Sequence, residues 1–215
     1  NAKHEFKTPL SRINTKLYMI RHTEDEEKRN QIADSIEAQV EEIDHLVDSM
    51  MLMARLDTVS TIPDSPVNLR NILNTLVIDV TNRVKDNQQT LVSEIPTKIP
   101  VIRGNTDDLY EAFHRILDNA IRYTPPNGHI NVSLRIAQSN VIIEIKDSGT
   151  KISEEALPHI FERFFREDQA HTTSGIGLGL PIAKAIIEQH KGDIRLSSTP
   201  HIGTIVQVRL PLRRS

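Results

Sequence analysis

Near the start of the chain, apolar residues recur every three or four positions. Phe6, Leu10, Ile13, Leu17 and Ile20 are spaced 4-3-4-3, the seam of a coiled coil. Ile32, Ile36, Val40, Ile43, Val47 and Met50 keep nearly the same rhythm. The pattern predicts a helix over roughly the first 22 residues and a second over 24–57, with Thr23-Glu24-Asp25-Glu26 as a capping box between them. Together they form an antiparallel hairpin. The second helix is the longer, so Ile43, Leu46, Val47, Met50, Met53 and Leu56 are expected to lack a partner from the first. That asymmetry suggests a first helix that continues upstream in a longer protein. A lone hairpin cannot bury both seams, which points to a homodimer built as a four-helix bundle.

After the hairpin the pattern changes. Residues 1–57 contain no glycine and a single proline, Pro9; the rest of the 11 prolines and all 8 glycines come later. We place a helical hairpin at 1–57, a linker at 58–66 and a second domain at 67–215. In that domain the pattern predicts helices over 69–85, 107–123 and 180–190. Short strands are expected near 90–95 and 100–103, a strand pair over 130–137 and 141–146, and a last pair over 193–198 and 204–210. An irregular stretch covers about 148–174. Hairpin-paired strands with interspersed helices predict an α+β two-layer sandwich, with helices on one face of a mixed sheet.

Composition narrows the function more than the fold. A net charge of −3 argues against a general binder of nucleic acid or anionic membrane. Without cysteine, disulfides and thiolate metal sites are excluded. No apolar run approaches the roughly 20 residues that span a bilayer.

Several short runs could carry chemistry. His4-Glu5-Phe6-Lys7-Thr8-Pro9-Leu10 puts an imidazole, a carboxylate and a hydroxyl within one helical turn and a proline in the helix interior. With Phe6 and Leu10 in the seam, His4 falls on the helix flank, where a phosphoryl acceptor must be reachable. Glu5 could accept the Nδ1 proton and leave Nε2 nucleophilic. Thr8, one turn on, could hold a water. Taken alone, the run also reads as ordinary helix surface. Gly175-Ile176-Gly177-Leu178-Gly179-Leu180 leads into a helix, where backbone N–H groups can close on phosphate oxygens. Asp147-Ser148-Gly149 ends a strand, and its carboxylate could meet the exocyclic amine of adenine; a plain turn is the other reading. Asn119 lies in a helix among apolar neighbours and could hold Mg²⁺ or serve as a buried structural amide. Arg122 and Tyr123 follow within a turn, suited to phosphate and to a base or ribose. Phe161-Glu162-Arg163-Phe164-Phe165-Arg166 reads as a packed anchor or as a hinged lid with Arg163 and Arg166 near phosphates.

The order of these runs resembles the kinase core of two-component sensor histidine kinases, over nearly the whole chain. The run at 4–10 is similar to the H-box, the segment around Asn119 to the N-box, Asp147 with Gly149 to the G1 box, 161–165 to the F-box, and 175–179 to the G2 box. Gly203-Thr204 resembles the last glycine motif. The resemblance implies a dimerisation and phosphotransfer hairpin followed by a Bergerat-fold ATP-binding domain. It also implies transfer of the ATP γ-phosphoryl group to His4, with Glu5 assisting, and onward to an aspartate of a response regulator. Regulator phosphatase activity, with Thr8 at the water-holding position, is a further implication. Asn119 is then the Mg²⁺ ligand, Asp147 reads adenine, and Gly175, Gly177 and Gly179 cradle phosphates. Such a chain is the cytoplasmic portion of a bacterial membrane-bound sensor, attached through an N-terminal region that is absent here. Two positions depart from the family pattern. Arg115 stands where a second N-box asparagine is usual, and Lys151 where the G1 box has its second glycine. They motivate an alternative, a pseudokinase-like dimeric binding module with little turnover.

Overall fold

The computed structural model describes residues 2–58, 63, 65–167, 177–199 and 202–212, with side chains from Phe6 onward. Helix α1 spans Ala2–Arg21 and carries Pro9 inside it; helix α2 spans Glu26–Thr58. The turn between them is capped differently from the sequence expectation. Asp25 Oδ1 accepts from the Lys28 N–H at 3.2 Å, whereas the Thr23 hydroxyl turns back to donate to the Met19 carbonyl. Asp25 is therefore the N-cap, because its short side chain reaches a donor that the helix leaves unsatisfied.

The rest is a two-layer α/β sandwich. Strand β1 (Ser65–Val67) pairs antiparallel with β3 (Ile102–Gly104). Two of the three residues of β1, Ser65 and Pro66, lie in the stretch expected to be linker, where turn-type residues hide a short extended segment. The main sheet has five strands in the order β2-β4-β5-β7-β6. These are β2 (Thr90–Glu94), β4 (His129–Ala137), β5 (Asn140–Asp147), β6 (Asp193–Thr199) and β7 (Gly203–Pro211). β2 runs parallel to β4 and the other pairs are antiparallel.

Helices α3 (Leu69–Asp86), α4 (Thr106–Tyr123) and α5 (Gly179–Gln189) supply the other layer. Each starts where its sequence says it should. Asn68 caps α3 through the Asn71 N–H, and Asn105 caps α4 through the N–H groups of Asp107 and Asp108. Those two aspartates also meet the positive end of the α4 dipole.

Strand alternation builds the core. Ile130, Val132 and Leu134 of β4, Val141, Ile143 and Ile145 of β5, and Val206, Val208 and Leu210 of β7 are all buried. They face one another in register: Val132 opposite Ile145, Ile145 opposite Val206, Ile143 opposite Val208. Leu109, Phe113, Ile116 and Leu117 of α4 and Ile182, Ile186 and Ile187 of α5 close over them.

The far end of α2 is not without a partner. Leu46, Met53 and Leu56 are buried and belong to the same apolar core as the sandwich. Arg55 Nη2 meets Asp108 Oδ1 at 2.5 Å, and Gln189 Nε2 donates to the Leu56 carbonyl at 2.7 Å. The sandwich thus covers part of what a longer α1 was expected to cover, and Val47 stays exposed. An apolar stripe requires burial, and the α4–α5 layer supplies it.

Candidate nucleotide site

Asp147 is the outcome of strand arithmetic. Val141, Ile143 and Ile145 point into the core, so the alternation sends Asp147 to the same face. Its side chain is buried at the polar end of an apolar ladder, and Thr204, its register partner on β7, is buried beside it. Asp147 Oδ1 accepts from the Gly149 N–H at 2.8 Å. Burial pushes the carboxyl pKa up, against the pull of the Gly149 and Thr204 N–H groups. A buried carboxylate with few donors is a strong acceptor for a ligand amine.

Glycines bring the surrounding elements within reach. A Cβ at Gly149 would stand 2.5 Å from the Tyr123 carbonyl at the end of α4 and 2.7 Å from Asp147 Oδ1. A Cβ at Gly203 would stand 1.8 Å from the Asp147 carbonyl, and that residue has φ +96°. Only glycine fits either place. Ser148 and His129 exchange hydrogen bonds, the His129 N–H to Ser148 Oγ at 2.8 Å and the Ser148 N–H to the His129 carbonyl at 2.9 Å. That closes the turn after β5.

The second wall is the start of α5. Gly177 has φ +72°, and its carbonyl accepts the Phe164 N–H at 3.0 Å. Gly179 opens α5 next to the Asn119 amide, whose Nδ2 would lie 3.6 Å from a Cβ placed there. The first-turn N–H groups of α5 have no intrahelical acceptor, so this end is suited to an anion. Leu178 is buried and Leu180 half-buried against the core, so they contribute backbone rather than side chain. Gly175 lies outside the described residues. Asn119 is half-buried, and no cluster of His, Asp or Glu among the described residues is built to hold a metal alone. A metal here would need oxygens from a ligand beside the Asn119 amide.

The charged candidates fall into place unevenly. Asp118 is shared between Arg122 at 3.0 Å and Arg83 at 2.8 Å. Tyr123 is exposed at the α4 terminus, and Arg166 is half-buried in its loop. Lys151 Nζ stands 3.6 Å from Glu154, and Arg115 Nε donates to Glu111 at 2.7 Å, so both departures are engaged by neighbouring acids. Arg163 is not turned to a phosphate cradle: its Nη2 meets both carboxylate oxygens of Asp57, at 2.7 and 2.9 Å. An acid one helix away competes better for that guanidinium than an anion that must be bound first. His4 and Glu5 lie in the first turns of α1, Thr8 is half-buried and Pro9 is buried.

Sequence reasoning missed Ser198, whose hydroxyl accepts the Ile152 N–H at 3.0 Å and lies 3.2 Å from the Thr204 hydroxyl. Its place opposite Thr204 follows from the β6–β7 register and could have been read from strand pairing.

Comparison with known proteins agrees with this architecture. Residues 104–214 match the model of the histidine kinase-, DNA gyrase B- and HSP90-like ATPases, and the chain belongs to that family. Residues 1–59 match the His Kinase A (phospho-acceptor) domain, which narrows the membership to histidine kinases. The heme sensor protein HssS of Staphylococcus haemolyticus is 29% identical over 212 residues, covering 98% of this chain and 46% of the relative. The sensor histidine kinase RppB of Synechocystis is 28% identical over 220 residues, covering 99% of this chain and 48% of the relative. The chain thus spans about half the length of the curated relatives it matches. The fold matches the Acinetobacter baumannii histidine kinase AdeS with a TM-score of 0.79 at 20% identity, covering 98% of each chain. No helix among the described residues is long and apolar enough to cross a membrane.

Proposed function

We propose that the chain is a protein histidine kinase core that phosphorylates itself on His4 from ATP and passes the phosphoryl group to an aspartate of a response regulator. The observation that carries this reading is the buried Asp147 carboxylate at the end of β5, with Gly149 and Gly203 packed closely beside it, on the same chain as a phospho-acceptor-type hairpin. In this reading Asp147, with Thr204 and Gly149 beside it, takes the adenine amine. Asn119 holds Mg²⁺ together with phosphate oxygens. The backbone of Gly175, Gly177, Leu178, Gly179 and Leu180 receives phosphates at the α5 terminus. Tyr123 flanks the base or ribose, and Arg122, Arg166 and Lys151 supply positive charge at the rim. ATP supplies the transferable phosphoryl group. Positioning and charge stabilisation then dominate the chemistry. Glu5 holds the Nδ1 proton of His4 so that Nε2 carries the lone pair.

Exposed Leu10, Leu17, Val40 and Val47 along the hairpin support a homodimer, since paired hairpins would cover them. A structural neighbour, the histidine kinase ThkA, is solved in complex with the response regulator protein TrrA, with a TM-score of 0.81 at 19% identity over 98% of this chain and 60% of that one. That supports a receiver domain as partner. Thr8 places regulator dephosphorylation within reach of the same helix turn. Relatives named as sensors support a place as the cytoplasmic part of a bacterial membrane-bound sensor.

Incubation with γ-labelled ATP and Mg²⁺ tests the reading. We expect an acid-labile, alkali-stable phosphate on the chain, absent from His4→Ala. Equal labelling of His4→Ala, or nucleotide binding with no label on the parent chain, overturns it.

A further inference from the structure

We propose that Asp57, at the end of α2, is a positioning residue for the phosphate-binding glycine loop, acting through Arg163. Arg163 lies in the loop that follows the 3₁₀ turn Leu157–His159, and both oxygens of the Asp57 carboxylate accept from its Nη2, at 2.7 and 2.9 Å. The next residue, Phe164, has φ +64°, a conformation that a bulky side chain adopts only under restraint. Its N–H donates to the Gly177 carbonyl at 3.0 Å, and Gly177 is itself left-handed at φ +72°. A Cβ at Gly177 would stand 2.7 Å from the Phe165 carbonyl, so the chain at Phe164–Phe165 and the chain at Gly177 touch backbone to backbone. The segment is thus pinned on one side by Asp57 and on the other by Gly177. Two left-handed residues bonded to each other set how Phe164 meets Gly177 ahead of α5, and the Asp57–Arg163 fork is the charged tether that holds this contact from outside the sandwich.

Asp57 is also separable from the rest of the junction. Arg55 holds Asp108 on α4, Gln189 on α5 holds the Leu56 carbonyl, and Leu46, Met53 and Leu56 are buried without its help. Removing the Asp57 charge therefore loosens the loop and leaves the helix docked. A loosened loop must be ordered again when a nucleotide binds, which weakens affinity.

The inference rests on the proposed function, in which Gly177 and its neighbours receive phosphates. A fluorescent adenine nucleotide titrated into the full chain tests it. D57N should bind about three- to fivefold more weakly than the parent, the scale of a half-exposed ion pair. D57E, which keeps the carboxylate, should stay within about twofold. The gap between D57N and the parent should close in about 1 M salt, where the fork is screened. The melting temperature of D57N should stay at that of the parent. D57N binding as tightly as the parent, or D57E falling as far as D57N, overturns the inference while leaving the kinase reading intact. A parent chain that binds no adenine nucleotide overturns the proposed function, and this inference with it.

Discussion

In the α/β sandwich, the apolar positions that strand alternation sends inward are buried: Val141, Ile143, Val208 and Leu210 keep 0, 1, 1 and 0% of their surface. In the hairpin, Leu10, Leu17, Val40 and Val47 are placed on a seam by equally regular spacing, yet keep 49, 40, 45 and 39%. The two regions differ in closure, since the sandwich has a second layer of its own and two helices do not. Helix α2 crosses from one regime to the other. Its first half shares a seam with α1, and Leu46, Met53 and Leu56 in its second half sink into the sandwich core. Periodicity therefore fixes which face is apolar and leaves open what covers it.

The largest effect that would break this contrast lies in the two cores. Phe113 is fully buried in α4. Phe113→Ala should lower the stability of the sandwich by about 3–5 kcal/mol, measured as a shift in denaturant midpoint at constant slope. Leu17→Ala should leave that transition within about 0.5 kcal/mol, because the residue stands at the hairpin surface. Its cost should appear instead as weaker self-association in sedimentation. A Leu17→Ala chain whose sandwich transition moves as far as that of Phe113→Ala would show the two regions to be one cooperative core.

Asp147 sharpens the comparison from the side of the site, because it is the one carboxylate that the alternation sends into the sandwich interior at the end of β5. Asp147→Asn should weaken adenine-nucleotide affinity about 10- to 100-fold, since hydrogen bonds to a charged acceptor are the strong ones. The pH dependence has a definite sign. Burial raises the folded pKa above the ordinary 3.8, so between 3.8 and that raised value the folded chain holds a proton that the unfolded chain has lost. Stability from this group therefore falls as pH rises through the window. Nucleotide affinity rises over the same window, because the ionised acceptor is the form that binds an amine. Titration calorimetry from acid to neutral pH should show that rise in the parent and a flat profile in Asp147→Asn.

Much of this was legible in the residues themselves. The helices of the sandwich, expected over 69–85, 107–123 and 180–190, lie over Leu69–Asp86, Thr106–Tyr123 and Gly179–Gln189, and β4 and β5 lie close to their expected strand pair. The glycines at 149, 177 and 203 marked where backbones approach. What escaped was set by contacts between distant parts. β1 is three residues long and holds a proline, so only its pairing with β3 defines it. Asp25 took the cap from Thr23 because the helix began two residues later than its composition suggested. The end of α2 found its partner in α5, and Arg163 found Asp57, 106 residues away in sequence. No local pattern encodes such pairs; they follow from the docking of the sandwich on the hairpin.

His190 reports on that docking with the subtlest readout. It is buried at the end of α5, behind the junction where Arg55 meets Asp108. Its ring is held in one tautomer: Nδ1–H donates to the Ile186 carbonyl at 2.7 Å, and Nε2 accepts the Asn105 N–H at 3.0 Å. Burial lowers its pKa below 6.5, and the Ile186 carbonyl and the nearby Asp108 charge pull the other way. A second proton would have to displace the Asn105 N–H, which belongs to the residue that caps α4. The sign follows from proton counts. Below 6.5 the unfolded imidazole takes up a proton that the folded one refuses, so stability falls as pH drops through that window and is unaffected above it. The measurement is a difference between the parent and a variant that lacks this one imidazole. Unfolding free energy followed between about pH 7 and pH 5 should fall more steeply in the parent than in His190→Gln, which is less stable throughout but has no imidazole to protonate. Parallel curves would mean that His190 charges freely in the folded chain, and that the α5 terminus is open to water where the sandwich meets the hairpin.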